Sequence, residues 1–201
     1  MSTYAPPGEP QERPLATGLL VGGLVGLLAA TVLLVERIRL AQDSDYVPTC
    51  SINPVLSCGN VMESAQAALL GFPNPVIGVA AFPVVVATGA AMLAGARLAR
   101  WYWLGLQAGV TAAMAFVAWL VFQSLYRIGA LCPYCMVVWA VVIPLFWYVT
   151  ARNATAGVLG PPDGRLASLL RDWRGPLVFG TFLLVALLVL ERFWSYWSSL
   201  L

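Results

Sequence analysis

Long apolar stretches alternate along this chain with short polar ones, five times over. The uncharged windows run Leu15–Val35, Val76–Ala96, Trp101–Tyr126, Leu131–Ala151 and Gly175–Leu190. About 20 apolar residues in a helix cross roughly 30 Å of hydrocarbon, and the first four windows meet that length. The fifth is shorter, but Arg174 and Arg192 can snorkel, and Phe193, Trp194, Tyr196 and Trp197 suit an interfacial belt. The pattern predicts an all-α integral membrane protein with five transmembrane helices. Composition agrees: 60 % of the 201 residues are hydrophobic and 10 % charged, and mean hydropathy is +0.82. A soluble core of this size could not bury that much apolar surface.

The polar segments divide the chain. Residues 1–14, with Pro6, Pro7, Gly8, Pro10 and Pro14, are expected to form a disordered cytoplasmic tail. Residues 15–151 form a four-helix unit containing a long loop at 41–75. Residues 152–174 are expected to be a cytoplasmic loop, and 175–201 the fifth helix and C-terminal end. The first window is too long for a signal-peptide core and is followed by Glu36-Arg37-Ile38-Arg39 rather than small residues, so a retained helix is expected.

Charge sets the orientation. All eleven basic residues are arginines, there is no histidine, and the net charge is +2. The absence of histidine excludes a Cys–His nucleophile and any His-ligated metal or haem, and so slight a charge does not argue for nucleic acid. With the N-terminus inside, Arg13, Arg97, Arg100, Arg152, Arg165, Arg171 and Arg174 are cytoplasmic, while Arg37, Arg39, Arg127 and Arg192 are outside. That bias places the N-terminus in and the 41–75 loop out.

All four cysteines then fall on one side, which in a bacterium is oxidising and permits disulfides. Cys50 and Cys58 lie in the long loop, among Pro48, Asn53, Pro54, Gly59 and Asn60. Cys132 and Cys135 open the fourth helix. In Cys132-Pro133-Tyr134-Cys135, the proline suits the first helical position and leaves Cys132 near the N-cap. There the helix dipole favours a thiolate and makes Cys132 the more reactive sulfur. A mobile pair beside a fixed pair is what a thiol–disulfide relay requires. Four cysteines allow three pairings, and spacing alone does not choose among them. After Cys58, Val61, Met62, Ala65, Leu69 and Leu70 recur at helical spacing, predicting a short amphipathic helix on the outer surface. Pro73 and Pro75 delay the second helix until Val76 and hold Asn74 at its mouth.

With these residues in view, the chain resembles the vitamin K epoxide reductase family, in particular its actinobacterial members. The resemblance covers roughly Gly18 to Tyr148 and rests on DYVPTCSINPVLSCGNVM, the serine and GFPNPVIG that follow, and CPYC opening a helix. It implies a four-helix bundle around a quinone, with Cys132 and Cys135 as the active-site pair and Cys135 nearest the quinone. It further implies that Cys50 exchanges with a partner thiol and that Cys58 passes electrons to Cys132. Ser64 and Asn74 match a family serine and an asparagine beside the quinone head. Trp139 falls where vertebrate members have tyrosine, a departure that does not favour coumarin sensitivity or vitamin K epoxide as substrate. Many bacterial members carry a fused thioredoxin-like domain after a fifth helix. Here the expected partner is a secreted DsbA or thioredoxin-like protein acting in trans. The quinone is expected to be menaquinone rather than ubiquinone, on the GC-rich character of the composition. The expected location is the bacterial inner membrane.

Other readings of the same residues exist. The cysteines could form an all-thiolate zinc site, which the x7 spacing suits poorly, or two inert disulfides. Asn74 could simply cap the second helix, Ser64 could be an ordinary surface residue, and Trp139 could be packing. Glu36-Arg37 is most simply an interfacial charge pair. A DsbB-type quinone reductase has the same logic with the order of pairs reversed. A transporter or scaffold with structural disulfides is the non-enzymatic alternative.

Overall fold

In a computed structural model of the chain, residues 12–43 and 45–198 are described. Five helices are long and apolar enough to cross a membrane. They are α1 (Glu12–Gln42), α3 (Pro75–Leu93), α4 (Arg100–Gln123), α5 (Pro133–Thr155) and α6 (Arg165–Arg192), with the short helices α2 (Cys58–Glu63) before α3 and α7 (Trp194–Ser198) at the end. This is a multi-pass, all-α membrane fold.

The boundaries differ from the sequence expectations in three places. Residues 12–14, assigned to the tail, form the first turn of α1, where the missing N–H of Pro14 is one that no helix could satisfy anyway. The rest of the predicted tail lies outside the described residues. The fifth helix starts at Arg165, ten residues before its apolar window, so the loop assigned to 152–174 shrinks to 156–164. Its polar first turns carry Arg165, Arg171 and Arg174, which hydropathy alone cannot tell from a loop. The single amphipathic helix expected after Cys58 is broken. Ser64 is extended (ψ 148°), and a 3₁₀ turn, Ala65–Ala68, replaces the rest of the helix. Leu69 and Leu70 are consequently 51 % and 62 % exposed rather than covering the bundle.

α5 is the centre of the bundle, packed against α1, α4 and α6, and it buries Trp139, Val142, Ile143, Val149 and Asn153. The tightest crossing is α1 on α3, where small residues let the backbones approach. A Cβ added at Gly89 would lie 2.5 Å from the Leu20 nitrogen and 2.7 Å from the Ala16 oxygen. α6 packs on α5, with the Trp147 indole donating to Thr181 Oγ1 at 3.0 Å. Its other face, with Phe179, Leu183, Leu184 and Leu187, is exposed, as a lipid-facing surface requires. At the far end of α6, Arg192 Nε donates to the carbonyl of buried Leu125 at 2.8 Å.

α4 ends in a π turn, Ser124–Ile128, followed by Gly129 in the left-handed region (φ 71°), a conformation that glycine adopts without the steric cost of a Cβ. The reversal delivers Ala130, Leu131 and Cys132 to the start of α5.

Candidate functional site

Backbone pairing brings the two cysteine pairs together. Asn53 Oδ1 accepts from the N–H groups of Val55 (3.0 Å) and Leu56 (2.7 Å) and shapes a tight turn after Pro54. The turn lays Val55–Ser57 against Leu131. Leu131 N donates to the Val55 carbonyl at 2.7 Å and Ser57 N to the Leu131 carbonyl at 2.9 Å, and Leu56 forms an isolated parallel bridge with Leu131. Ser57 caps α2, and Cys58 is that helix's first residue.

The result is a junction of sulfurs. Cys50 and Cys58 form a disulfide, and the Cys58 sulfur lies 2.9 Å from the Cys132 sulfur. The sulfurs of Cys50, Cys58 and Cys132 all lie within 4.8 Å of one another. Cys132 and Cys135 are free thiols. A disulfide between Cys50 and Cys58 takes two thiolates away from any zinc set in this state. The Cys132 thiol, N-cap of α5 just outside the membrane-spanning residues, is held below its ordinary range. The largest cause is its hydrogen bond with the Cys135 thiol. Burial opposes this, and the backbone N–H groups of Cys135 and Tyr134 add to it. The more acidic sulfur is therefore the one that faces Cys58, which favours exchange between those two.

The loop that carries Cys50 is fastened, not a free arm. Cys50 is 4 % exposed, Cys58 0 % and Cys132 1 %. Part of the fastening is a residue that sequence reasoning assigned elsewhere. Glu36 turns its buried carboxylate inward and accepts from Tyr46 Oη (3.0 Å), Thr49 N (3.2 Å) and Thr49 Oγ1 (3.0 Å). No local pattern marks an acid at a helix end as the acceptor for a segment ten to thirteen residues on.

Below the sulfurs is an apolar cavity of about 730 Å³, walled by α1, α3, α4 and α5 and roofed by the segment from Val61 to Asn74. Cys132 and Cys135 both line it, as do Ser64, Asn74 and Trp139, so every candidate site residue except Cys50 and Cys58 meets this space. Ser64 Oγ donates to the Val61 carbonyl at 2.7 Å. Asn74 is at the N-cap position of α3 but makes no capping bond. Instead its Nδ2 donates to the Gln66 carbonyl at 2.7 Å, and its Oδ1 accepts from Leu69 N at 3.1 Å, pinning the roof. Trp139 is buried, and its indole N–H has no acceptor among the described residues. The cavity rim includes the exposed side chains of Val84 and Trp101. At the cavity's other end Tyr102 Oη donates to Thr88 Oγ1 at 2.5 Å, whose own proton goes to the Val84 carbonyl.

Residues 18–150 match the vitamin K epoxide reductase family. The chain belongs to the vitamin K epoxide reductase family. No curated protein matches it individually. Membership makes the chain a membrane oxidoreductase of disulfides, in a family whose members use quinones. The matched residues contain most of α1 and α5, all of α3 and α4, and all four cysteines, while α6 and α7 lie beyond them.

Proposed function

We propose that this vitamin K epoxide reductase family protein reoxidises a secreted DsbA or thioredoxin-like dithiol partner and passes the electrons through its two cysteine pairs to a membrane quinone. It thereby supports disulfide formation in exported proteins. The observation that carries this reading is the position of the Cys58 sulfur, bonded to Cys50 and 2.9 Å from Cys132.

A partner thiolate attacks Cys50, and Cys58 leaves as a thiolate. The partner's second thiol resolves the mixed disulfide and leaves Cys50 reduced. Cys58 then attacks Cys132 in a Cys132–Cys135 disulfide, and Cys135 leaves. Cys50 closes on Cys58 and expels Cys132. The net result moves two electrons and two protons from the partner to Cys132 and Cys135 and restores the loop disulfide. Oxidised Cys50–Cys58 beside reduced Cys132 and Cys135 is the state that this exchange produces.

The cavity residues fit a quinone. The walls are apolar, the orphan Trp139 N–H is a donor suited to a ring carbonyl, and Cys135 stands at the lining. A quinone bound there supplies the two-electron, two-proton acceptor. Trp139 orients its head together with Asn74 and Ser64, and the walls keep water from the Cys135 sulfur. Of the membrane quinones, composition points to menaquinone. The arginine distribution supports a cysteine end that faces outward from the bacterial inner membrane. Because Cys50 is buried, the partner gains access only when the loop lifts from Leu131 and Glu36.

The test is trapping. Cys58→Ala leaves Cys50 without its resolving neighbour, and a Cys50-linked secreted protein should accumulate on non-reducing gels. A membrane scaffold would trap nothing. Purified protein should oxidise a reduced dithiol partner only when quinone is supplied, and turnover independent of quinone would end the quinone assignment.

A further inference from the structure

A second cavity lies at the end of the bundle opposite the cysteines. It is a groove of about 1160 Å³ with α5 as its floor and α1 and α6 as its sides. Along α5 it extends from Ala140 to Ala156, about 24 Å at 1.5 Å per residue. That exceeds one leaflet's share, about 15 Å, of the hydrocarbon thickness. The deep part is apolar and lined by small residues: Gly18 and Gly22 from α1 face Ala140, Val141 and Leu145. A Cβ placed at Gly18 would meet nothing within 4 Å, so the trough is open there.

The shallow end is cationic. Arg152 of α5 and Arg171 and Arg174 of α6 all line it, and Glu12 is the one acid among the described lining residues. Arg171 and Arg174 are three apart and so share a helix face. Arg171 reaches exposed Asp172 at 3.3 Å, and Arg152 reaches Glu12 at 3.4 Å. Three guanidiniums against these two carboxylates leave a net +1. Arg152 is further held with its guanidinium 3.6 Å from the Trp103 ring centroid, and its buried Nε–H has no acceptor among the described residues. Arg174 stands 5.7 Å from the Tyr148 ring. Arginines that served only as interfacial anchors would point outward into water. Here Arg152 and Arg174 are half-buried and Arg171 is exposed at the rim, and all three border a concavity that continues as an apolar trough.

We propose that this groove is a binding site for an anionic phospholipid, with its phosphate among Arg152, Arg171 and Arg174 and an acyl chain along Gly18, Gly22 and Ala140. Guanidinium forks match phosphate oxygens, and basic pockets between membrane helices are suited to such head groups. A choline head would bring a further cation to a site already positive. The lipid fills the gap between α1 and α6 and ties the fifth helix to the bundle. The assignment is independent of the redox chemistry at the other end.

The test uses the full chain, stripped of lipid in detergent and given phosphatidylglycerol, phosphatidylcholine or inorganic phosphate. Native mass spectrometry should show phosphatidylglycerol retained in preference to phosphatidylcholine, and its addition should raise the melting temperature. The double variant Arg171→Gln/Arg174→Gln should weaken retention by roughly tenfold or more. Gly18→Leu, which fills the trough without changing charge, should weaken it too. Equal retention of the two lipids, or unchanged retention in either variant, overturns the proposal. A full melting shift from inorganic phosphate alone overturns the lipid in favour of a free anion.

Discussion

The functional asymmetry of the site is set at single residues. Cys132 and Cys135 are one helical turn apart. Only Cys132 sits at the N-cap, takes the stabilising contact from its neighbour and faces Cys58. Its depressed pKa means that near neutrality its thiolate fraction exceeds that of an ordinary thiol and falls only as pH drops through the lower value. In a chain with Cys50 and Cys58 changed to serine, alkylation of Cys132 followed by mass spectrometry should therefore rise at a lower pH than for a free thiol. Cys135→Ala removes the largest cause and should move that rise to higher pH. Coincident profiles would mean that Cys135 does not hold the thiolate. Glu36 offers a second test at this scale. Glu36→Ala deprives Tyr46 and Thr49 of their acceptor and should cost about 1–3 kcal/mol, measured as a lower melting temperature, with Glu36→Gln retaining part of it. The dithiol was visible in the chain because Cys-Pro-Tyr-Cys is local. The role of Glu36 was not, because it depends on how a loop folds back over a helix end.

At the scale of elements, apolar run length identified the spans, and the glycines decide how closely they pack. The α1–α3 crossing has backbone atoms where a Cβ at Gly89 would go, so Gly89→Val should separate the two helices and sharply lower thermal stability. Gly180→Ala, on α6 with nothing within 4 Å of the added carbon, should be neutral or stabilising by up to about 1 kcal/mol. Similar losses from both would contradict the packing. The fifth helix is attached near the redox site through Arg192 and the Leu125 carbonyl, just before the turn that presents Cys132. Arg192→Ala should cost about 1–3 kcal/mol by leaving a buried carbonyl unpaired, and Arg192→Lys should recover part of that in the same melting experiment. The break at Ser64 shows where periodicity misleads. Apolar spacing continued through Leu70, but a serine hydroxyl bonded to the Val61 carbonyl accompanies an extended backbone that ends the helix.

For the whole molecule, the arrangement is two-ended, with sulfur chemistry at one end and an arginine-lined groove at the other. A cysteine-free variant carrying Ile52→Cys should therefore react with a membrane-impermeant maleimide in intact cells, while one carrying Asp163→Cys should react only after permeabilisation. Labelling of both without permeabilisation would refute the orientation drawn from the arginines. The chain by itself determined the membrane class, the approximate positions of the spans and which cysteines are candidates for the exchange. Each of these is encoded over a short consecutive run, at most 26 residues for a span, by hydrocarbon thickness or by the chemistry of a helix terminus. Tertiary structure alone decided that Cys58 touches Cys132 across 74 residues of sequence, that Glu36 fastens the loop, and that two cavities open at opposite ends. Such contacts arise from which helix faces meet, and the bilayer, apolar all round, leaves that choice to the packing of small residues and to a few buried hydrogen bonds.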